Sequence, residues 1–168
     1  MAPSIHRYAR QSVTDPDWPV SRATSHGYVP VRRPLGVLIV EDDPLLRWAI
    51  AETLRLAGHR VIEAWDVVSA EYGFRNAVNA VDIVLFDGDL PEMPQADLLA
   101  VVRALAPGRV LVMMTDDASP AATTEAVGFG VNAVVGKPFE MGSIERVLRN
   151  ACRASRGEPV IERTNQPV

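Results

Sequence analysis

The chain reads as a doubly wound α/β protein, a three-layer sandwich whose five-stranded parallel sheet is covered by helices on both faces, and three observations point there. Short β-branched runs alternate with amphipathic helical stretches five times between residues 35 and 152. The strand runs are apolar at almost every position rather than at every second one, the pattern of strands buried on both faces. Two of them, Leu35 to Val40 and Val81 to Phe86, run directly into carboxylates. Open sheets of this class hold their ligands in the crevice beyond the carboxyl ends of the strands.

The elements follow in order. Leu35 to Val40 is the first strand, and Glu41, Asp42 and Asp43 come straight after it. Asp43 before Pro44 is a helix start, with Asp43 as N-cap and Pro44 at the first helical position, so Glu41 and Asp42 are left to face the crevice. Leu46, Ala49, Ile50, Thr53, Leu54 and Ala57 give that helix a buried stripe that leaves Trp48 outside, and Gly58 ends it. Arg60 to Ala64 is the second strand, followed by a helix capped by Asp66 and reaching about Ala77. Val81 to Phe86 is the third strand, ending on Asp87 and stopped by Gly88 and Pro91. A helix over residues 96 to 105 is closed by Pro107 and Gly108, and the fourth strand, 109 to 114, ends on Thr115. Ser119 and Pro120 start a helix that runs to about Val127 and is released by Gly128 and Gly130. A last strand, 132 to 135, meets Gly136, Lys137 and Pro138 before a helix from residue 140 or 141 to about Arg153.

Residues 1 to 34, with five prolines among Ser, Thr, His and Arg and no sustained period, read as a disordered or loosely attached extension, and residues 153 to 168 as a polar tail. Neither end supplies the roughly 50 residues that a further structured module needs. Charge is divided unevenly: +3 over residues 1 to 34, −8 over 35 to 152 and +1 over 153 to 168. An acidic central block disfavours direct nucleic-acid binding and suits a cation. Cys152 is the only cysteine, so a disulfide framework and a cysteine-rich zinc site are excluded within the chain. No apolar run approaches the roughly 18 residues of a membrane span. The N-terminus lacks the apolar core of a signal peptide, which leaves a cytoplasmic location as the expectation.

The strand ends carry Glu41, Asp42, Asp87, Thr115 and Lys137, and the predicted topology brings all five to one edge. Three carboxylates tolerate joint ionisation only around a cation, and oxygen ligands without His or Cys favour Mg²⁺. Lys and Thr add donors suited to phosphoryl oxygens. A carboxylate nucleophile with this company points to phosphoryl transfer onto Asp, and Asp87, ending a buried strand inside the group, is the candidate.

Four segments, Leu-Ile-Val-Glu-Asp-Asp-Pro at 38 to 44, Leu-Phe-Asp-Gly-Asp-Leu-Pro-Glu-Met at 85 to 93, Met-Met-Thr at 113 to 115 and Val-Val-Gly-Lys-Pro-Phe at 134 to 139, together resemble the receiver domain of bacterial two-component response regulators. The resemblance covers residues 35 to 152 and implies a flavodoxin-like (βα)₅ fold with Asp87 as phosphoacceptor. It also implies Mg²⁺ held by Asp42, Asp87 and the backbone carbonyl of Asp89, with Glu41 acting through water. Lys137 is then a phosphoryl contact preceding a cis proline, and Thr115 a hydroxyl that moves onto a phosphoryl oxygen. The implied partners are a histidine kinase or histidine phosphotransfer protein upstream and a protein downstream. The latter docks on the face of the fourth helix, fifth strand and fifth helix, which is also the surface for a homodimer.

Three positions depart from the family pattern. Val134 stands at the switch position, where a Tyr or Phe is usual three residues before the Lys. Asp116 and Asp117 follow Thr115, where a small residue is common, and Gly88 replaces a bulky neighbour of Asp87, which implies a site more open to water. A self-phosphorylating and self-dephosphorylating signalling module, rather than an enzyme with a separate substrate, is the expected function. A silent pseudo-receiver scaffold is the alternative that Val134 keeps in play. The Asp87-Gly88-Asp89 run also resembles the nucleophile motif of haloacid-dehalogenase phosphohydrolases, but there the acidic pair follows the Lys, whereas here it precedes Asp87.

Overall fold

The computed structural model describes residues 33 to 158. The extension expected over residues 1 to 34 lies outside the described residues apart from Arg33 and Pro34, as does the part of the polar tail from residue 159 onward. Five strands, β1 (Gly36–Val40), β2 (Arg60–Ala64), β3 (Ile83–Asp87), β4 (Val110–Thr115) and β5 (Ala133–Gly136), form one parallel sheet in the order β2-β1-β3-β4-β5. Five helices connect and cover them: α1 (Pro44–Leu56), α2 (Val67–Ala77), α3 (Gln95–Leu105), α4 (Pro120–Gly128) and α5 (Met141–Ser155).

The alternation of side chains along each strand divides the core between the two faces of the sheet. Leu38, Val40, Val84, Phe86, Leu111 and Met113 point one way, against Ala70 and Phe74 of α2, Leu98, Leu99 and Val102 of α3 and Ala126 of α4. Val37, Ile39, Ile83, Leu85, Val112 and Met114 point the other way, against Ile50, Ala51 and Leu54 of α1 and Ile144, Leu148, Ala151 and Cys152 of α5. Each large aliphatic side chain so buried contributes roughly 1.5 to 3 kcal/mol of transfer free energy. Cys152 is a small core residue with a free thiol.

Local chemistry sets the boundaries. The Asp43 carboxylate accepts the backbone N–H groups of Leu45 and Leu46 at 2.8 and 3.2 Å, with Pro44 opening α1. Gly58 leaves that helix at φ +85°, a conformation that favours glycine. Asp66 and Ser69 form a reciprocal capping box on α2, and Ser119 accepts from Ala122 at the start of α4.

The differences from the sequence reading are small and have causes. Ala51, not Ala57, completes the buried face of α1, because the helix ends at Leu56 and Ala57 is its exposed C-cap. Val81 and Asp82 precede β3 rather than opening it, since a single 3-10 turn over Val78–Ala80 brings the chain in first. Helix α5 continues to Ser155, three residues into the expected tail. Trp48 is exposed, as its place off the stripe implies.

Two close contacts fix the approach of β1 to its neighbours. A Cβ at Gly36 would lie 1.6 Å from the Ala80 carbonyl oxygen, so the chain entering β3 passes where any side chain would stand. His59, at the turn into β2, is buried: its Nδ1 accepts the Leu35 N–H at 3.0 Å, while Nε2 faces Glu145 Oε1 at 3.5 Å and Arg149 Nη2 at 3.4 Å. Burial holds the His59 pKa below its ordinary value, with Arg149 acting in the same direction and Glu145 against it.

Gly36→Ala is expected to lower stability by roughly 3 kcal/mol, measured by urea denaturation, because backbone must move to admit the methyl group. For His59 the unfolded chain takes up a proton that the folded chain resists. Its contribution is therefore complete above an unfolded pKa of about 6.5 and falls as pH drops below that value. His59→Asn keeps an acceptor for the Leu35 N–H without a titrating ring, so denaturation from pH 8 to pH 5 should show a smaller loss of stability in the variant than in the wild type.

Candidate functional site

Parallel pairing in register places the ends of β1, β3, β4 and β5 side by side, and the residues predicted from the sequence gather there. Asp87 is the last residue of β3, Thr115 the last of β4, and Lys137 follows β5 directly, its N–H bonded to the Thr115 carbonyl at 2.8 Å. Glu41, just beyond β1, donates its own N–H to the carbonyl of Ala64 at 3.1 Å. The Lys137–Pro138 peptide is cis, as the resemblance implied.

Lys137 is the hub of the charges. Its Nζ lies 2.8 Å from Asp87 Oδ2 and 3.4 Å from Glu41 Oε2. Glu41, Asp42 and Asp87 each offer a carboxylate oxygen within 4.8 Å of the others; Glu41 and Asp87 are buried and Asp42 is exposed. Burial, reinforced by the Asp87 charge, pushes the Glu41 carboxyl up to about 7, and Lys137 pulls against that. Burial pulls the Lys137 ammonium down, but its hydrogen bond to Asp87 and the charges of Glu41 and Asp87 outweigh this and raise it, so it stays protonated. The group as a whole carries more negative charge than one ammonium can balance, and it offers oxygen ligands only. That donor set fits a hard divalent cation such as Mg²⁺.

Three features of the pocket go beyond those expected from the sequence. The Asp89 carboxylate, and not only its backbone, faces the site: Oδ1 accepts the Thr115 hydroxyl at 3.4 Å and Oδ2 accepts the Asp116 N–H at 2.8 Å. Its N–H donates to Asp87 Oδ1 at 2.9 Å. Arg47 on α1 reaches back to donate to the carbonyls of Glu41 at 2.6 Å and Asp42 at 3.3 Å, clamping the acidic turn. An arginine one turn into the helix behind an acidic triplet is the signal that was present for it. Asp117 is tied locally, accepting the Ser119 N–H at 2.9 Å and donating its own N–H to the Thr115 hydroxyl at 3.1 Å.

Gly88 differs from expectation. It is buried rather than open, and a Cβ there would meet Met113 Sδ at 2.8 Å and Gln95 Nε2 at 3.0 Å. Met113 from β4 fills the volume that a side chain next to Asp87 would take, so the glycine does not open the site to water on that side. Val134, half-buried on β5, pairs with Met113 and packs against the core beneath α4.

The family model of the response regulator receiver domain matches residues 37–149. The chain belongs to that family. It is 34% identical over 117 residues to the response regulator protein FleR of Pseudomonas aeruginosa, covering 68% of this chain and 24% of that protein. A chemotaxis protein CheY homologue of Campylobacter jejuni is 27% identical over 135 residues, covering 75% of this chain and 98% of the relative. The structure of the chemotaxis response regulator CheY4 of Vibrio cholerae superposes with a TM-score of 0.63 at 25% identity, over 71% of this chain and 99% of that one. The chain spans between about a quarter and somewhat over half of the length of the first curated regulators it matches. Receiver domains are modules of two-component signalling rather than classical enzymes. Among the described residues no helix is long and apolar enough to cross a membrane.

The buried carboxylate of Glu41 should cost stability. In buffer free of divalent cations at pH 8, Glu41→Gln is expected to be more stable than the wild type by roughly 1 to 2 kcal/mol in urea denaturation. A variant less stable than the wild type would mean that the Glu41 charge is fully offset by Lys137.

Proposed function

We propose that this receiver domain takes a phosphoryl group onto Asp87 from the phosphohistidine of a kinase or phosphotransfer protein, and that the resulting aspartyl phosphate changes which protein the domain binds. The observation that carries the proposal is the placement of Asp87, a buried carboxylate at a strand end, 2.8 Å from the Lys137 ammonium and within a cluster of three acidic groups.

In the transfer, a carboxylate oxygen of Asp87 attacks phosphorus, the P–N bond to the donor imidazole breaks, and the imidazole leaves with the electron pair. Lys137 already lies against Asp87 and donates to a phosphoryl oxygen, neutralising charge where it develops. Asp42, Asp87 and the backbone carbonyl of Asp89 would hold Mg²⁺, with Glu41 acting through water, and the ion would neutralise phosphoryl oxygens. The Thr115 hydroxyl and the Asp116 N–H point at Asp89 in this structure, and an incoming phosphoryl group competes for the same two donors. Asp89 thus stands in for the phosphoryl oxygens until transfer displaces it. The reaction ends with the phosphoryl group on the protein, and hydrolysis of the acyl phosphate resets it.

The output face consists of α4, β5 and α5, which share the strand that carries Val134 and leads into Lys137. A valine fills less of the gap between Met113 and α4 than an aromatic ring, so the displaced Thr115 is followed by aliphatic repacking rather than by a ring turning inward. This face accommodates a downstream protein or a second copy of the chain, and the domain works in the cytoplasm, where histidine kinases present their phosphohistidine. The pseudo-receiver reading draws on Val134 alone.

Incubation of the full chain with Mg²⁺ and acetyl phosphate should yield a species one phosphoryl group heavier by intact mass, absent in Asp87→Asn and in wild type with excess chelator. An unmodified wild-type mass, with both acetyl phosphate and a phosphorylated histidine phosphotransfer protein as donors, would leave the scaffold reading. Asp89→Ala removes a negative charge beside the incoming anion and frees the Thr115 hydroxyl and the Asp116 N–H, and should speed labelling by acetyl phosphate severalfold.

A further inference from the structure

A second crevice, of about 460 Å³, opens at the opposite edge of the sheet, where β3, β4 and β5 begin. Its wall carries three guanidinium groups from three parts of the chain: Arg103 in α3, Arg109 before β4 and Arg156 after α5. Arg103 is held in place by the carbonyls of Arg109 at 3.2 Å and Gly130 at 2.5 Å. Arg109 donates through Nη2 to the carbonyl of Val78 at 2.8 Å, while its Nε is buried without any acceptor. Among the described residues, none of these three arginines pairs with a carboxylate within ion-pair distance.

The wall presents more side-chain donors than acceptors. Its one carboxylate, Asp82, is already committed, accepting the Gly36 N–H at 2.8 Å and Arg33 at 3.2 Å. Asn132 uses its carbonyl oxygen on the Leu111 N–H at 2.8 Å and keeps its amide donors. Burial lowers the Arg103 pKa. A buried donor without an acceptor is costly, and one such guanidinium nitrogen, on Arg109, in a crevice walled by two further guanidinium groups that no carboxylate pairs, is matched by an anion with several acceptor oxygens.

We infer that this crevice is a binding site for a small molecule carrying a phosphate group, gripped by Arg103, Arg109 and Arg156. Guanidinium forks match the oxygens of phosphate in pairs, and their planar charge is weakly hydrated, which favours them over ammonium groups in such a role. The volume exceeds that of a phosphate group alone and falls within the range of sites for small ligands, so the phosphate is expected to be part of a nucleotide-sized molecule. The site is separate from the Asp87 pocket, which lies at the other ends of the same strands, and its occupancy does not depend on phosphoryl transfer.

The test is a titration of the full ¹⁵N-labelled chain, free of divalent cations and at constant ionic strength, with adenosine monophosphate and, separately, with inorganic phosphate, using chloride as the control. Backbone signals of Gly108, Arg109 and Asn132 and the arginine Nε signals should shift and saturate, with the nucleotide binding more tightly than phosphate. Arg156→Gln, at the exposed end of α5 where the core is not disturbed, should weaken binding about tenfold, and Arg109→Lys should weaken it although the charge is kept. Shifts that stay linear, that chloride reproduces, that centre on Lys137, or that survive both substitutions would each overturn the inference.

Discussion

The contact between Lys137 and Asp87 is the interaction on which the site depends. Each partner comes from the end of a different strand, and neither position makes sense without the sheet. The order β2-β1-β3-β4-β5 puts β3 at the centre, so Asp87 is flanked by the ends of β1 and β4 and reached from β5. A buried carboxylate there would be strongly disfavoured without a cation, and a buried ammonium equally so without an anion. The pair makes both tolerable, and the remaining negative charge of Glu41 and Asp42 keeps the pocket receptive to a metal. In the proposed transfer, Asp87 would give up its ion-pair partner to an incoming phosphoryl group that supplies new negative charge to the same ammonium.

The surroundings of this pair are more acidic than the minimal set for the chemistry. Asp89 occupies the donors of Thr115 and Asp116, and Asp116 and Asp117 add charge at the rim. Under the proposed function, these groups would oppose the approach of an anionic phosphodonor. Met113 fills the space beside Gly88, so the side of Asp87 that faces β4 is closed.

Much of the fold was legible because its signals are local. Asp43-Pro44, Asp66 with Ser69, and Ser119-Pro120 each write a helix start within four residues, and Gly58 and Gly130 write helix ends. The acidic ends of the first and third strands were legible for the same reason, as were Thr115 and Lys137 once the topology was drawn. What the sequence did not reveal depends on contacts between distant segments. Asp89 meets Thr115 across 26 positions, and Met113 fills the space beside Gly88 across 25, because β3 and β4 pair in one particular register. Gly36 reads as an ordinary strand residue until the backbone of Ala80 is seen against it. Nothing in a residue's neighbours along the chain encodes such approaches.

The central claim is that charge at Asp87 is felt at the face of α4, β5 and α5 even though Val134 stands at the switch position. The most direct measurement is a ¹H–¹⁵N spectrum of the full chain with Mg²⁺, before and after addition of beryllium fluoride, which mimics the phosphoryl group on a carboxylate. The account predicts shifts at Asp87, Thr115 and Lys137 that continue through Val134 into α4 and the adjacent surface of α5. Shifts confined to the pocket, with α4 and α5 unchanged, would contradict it.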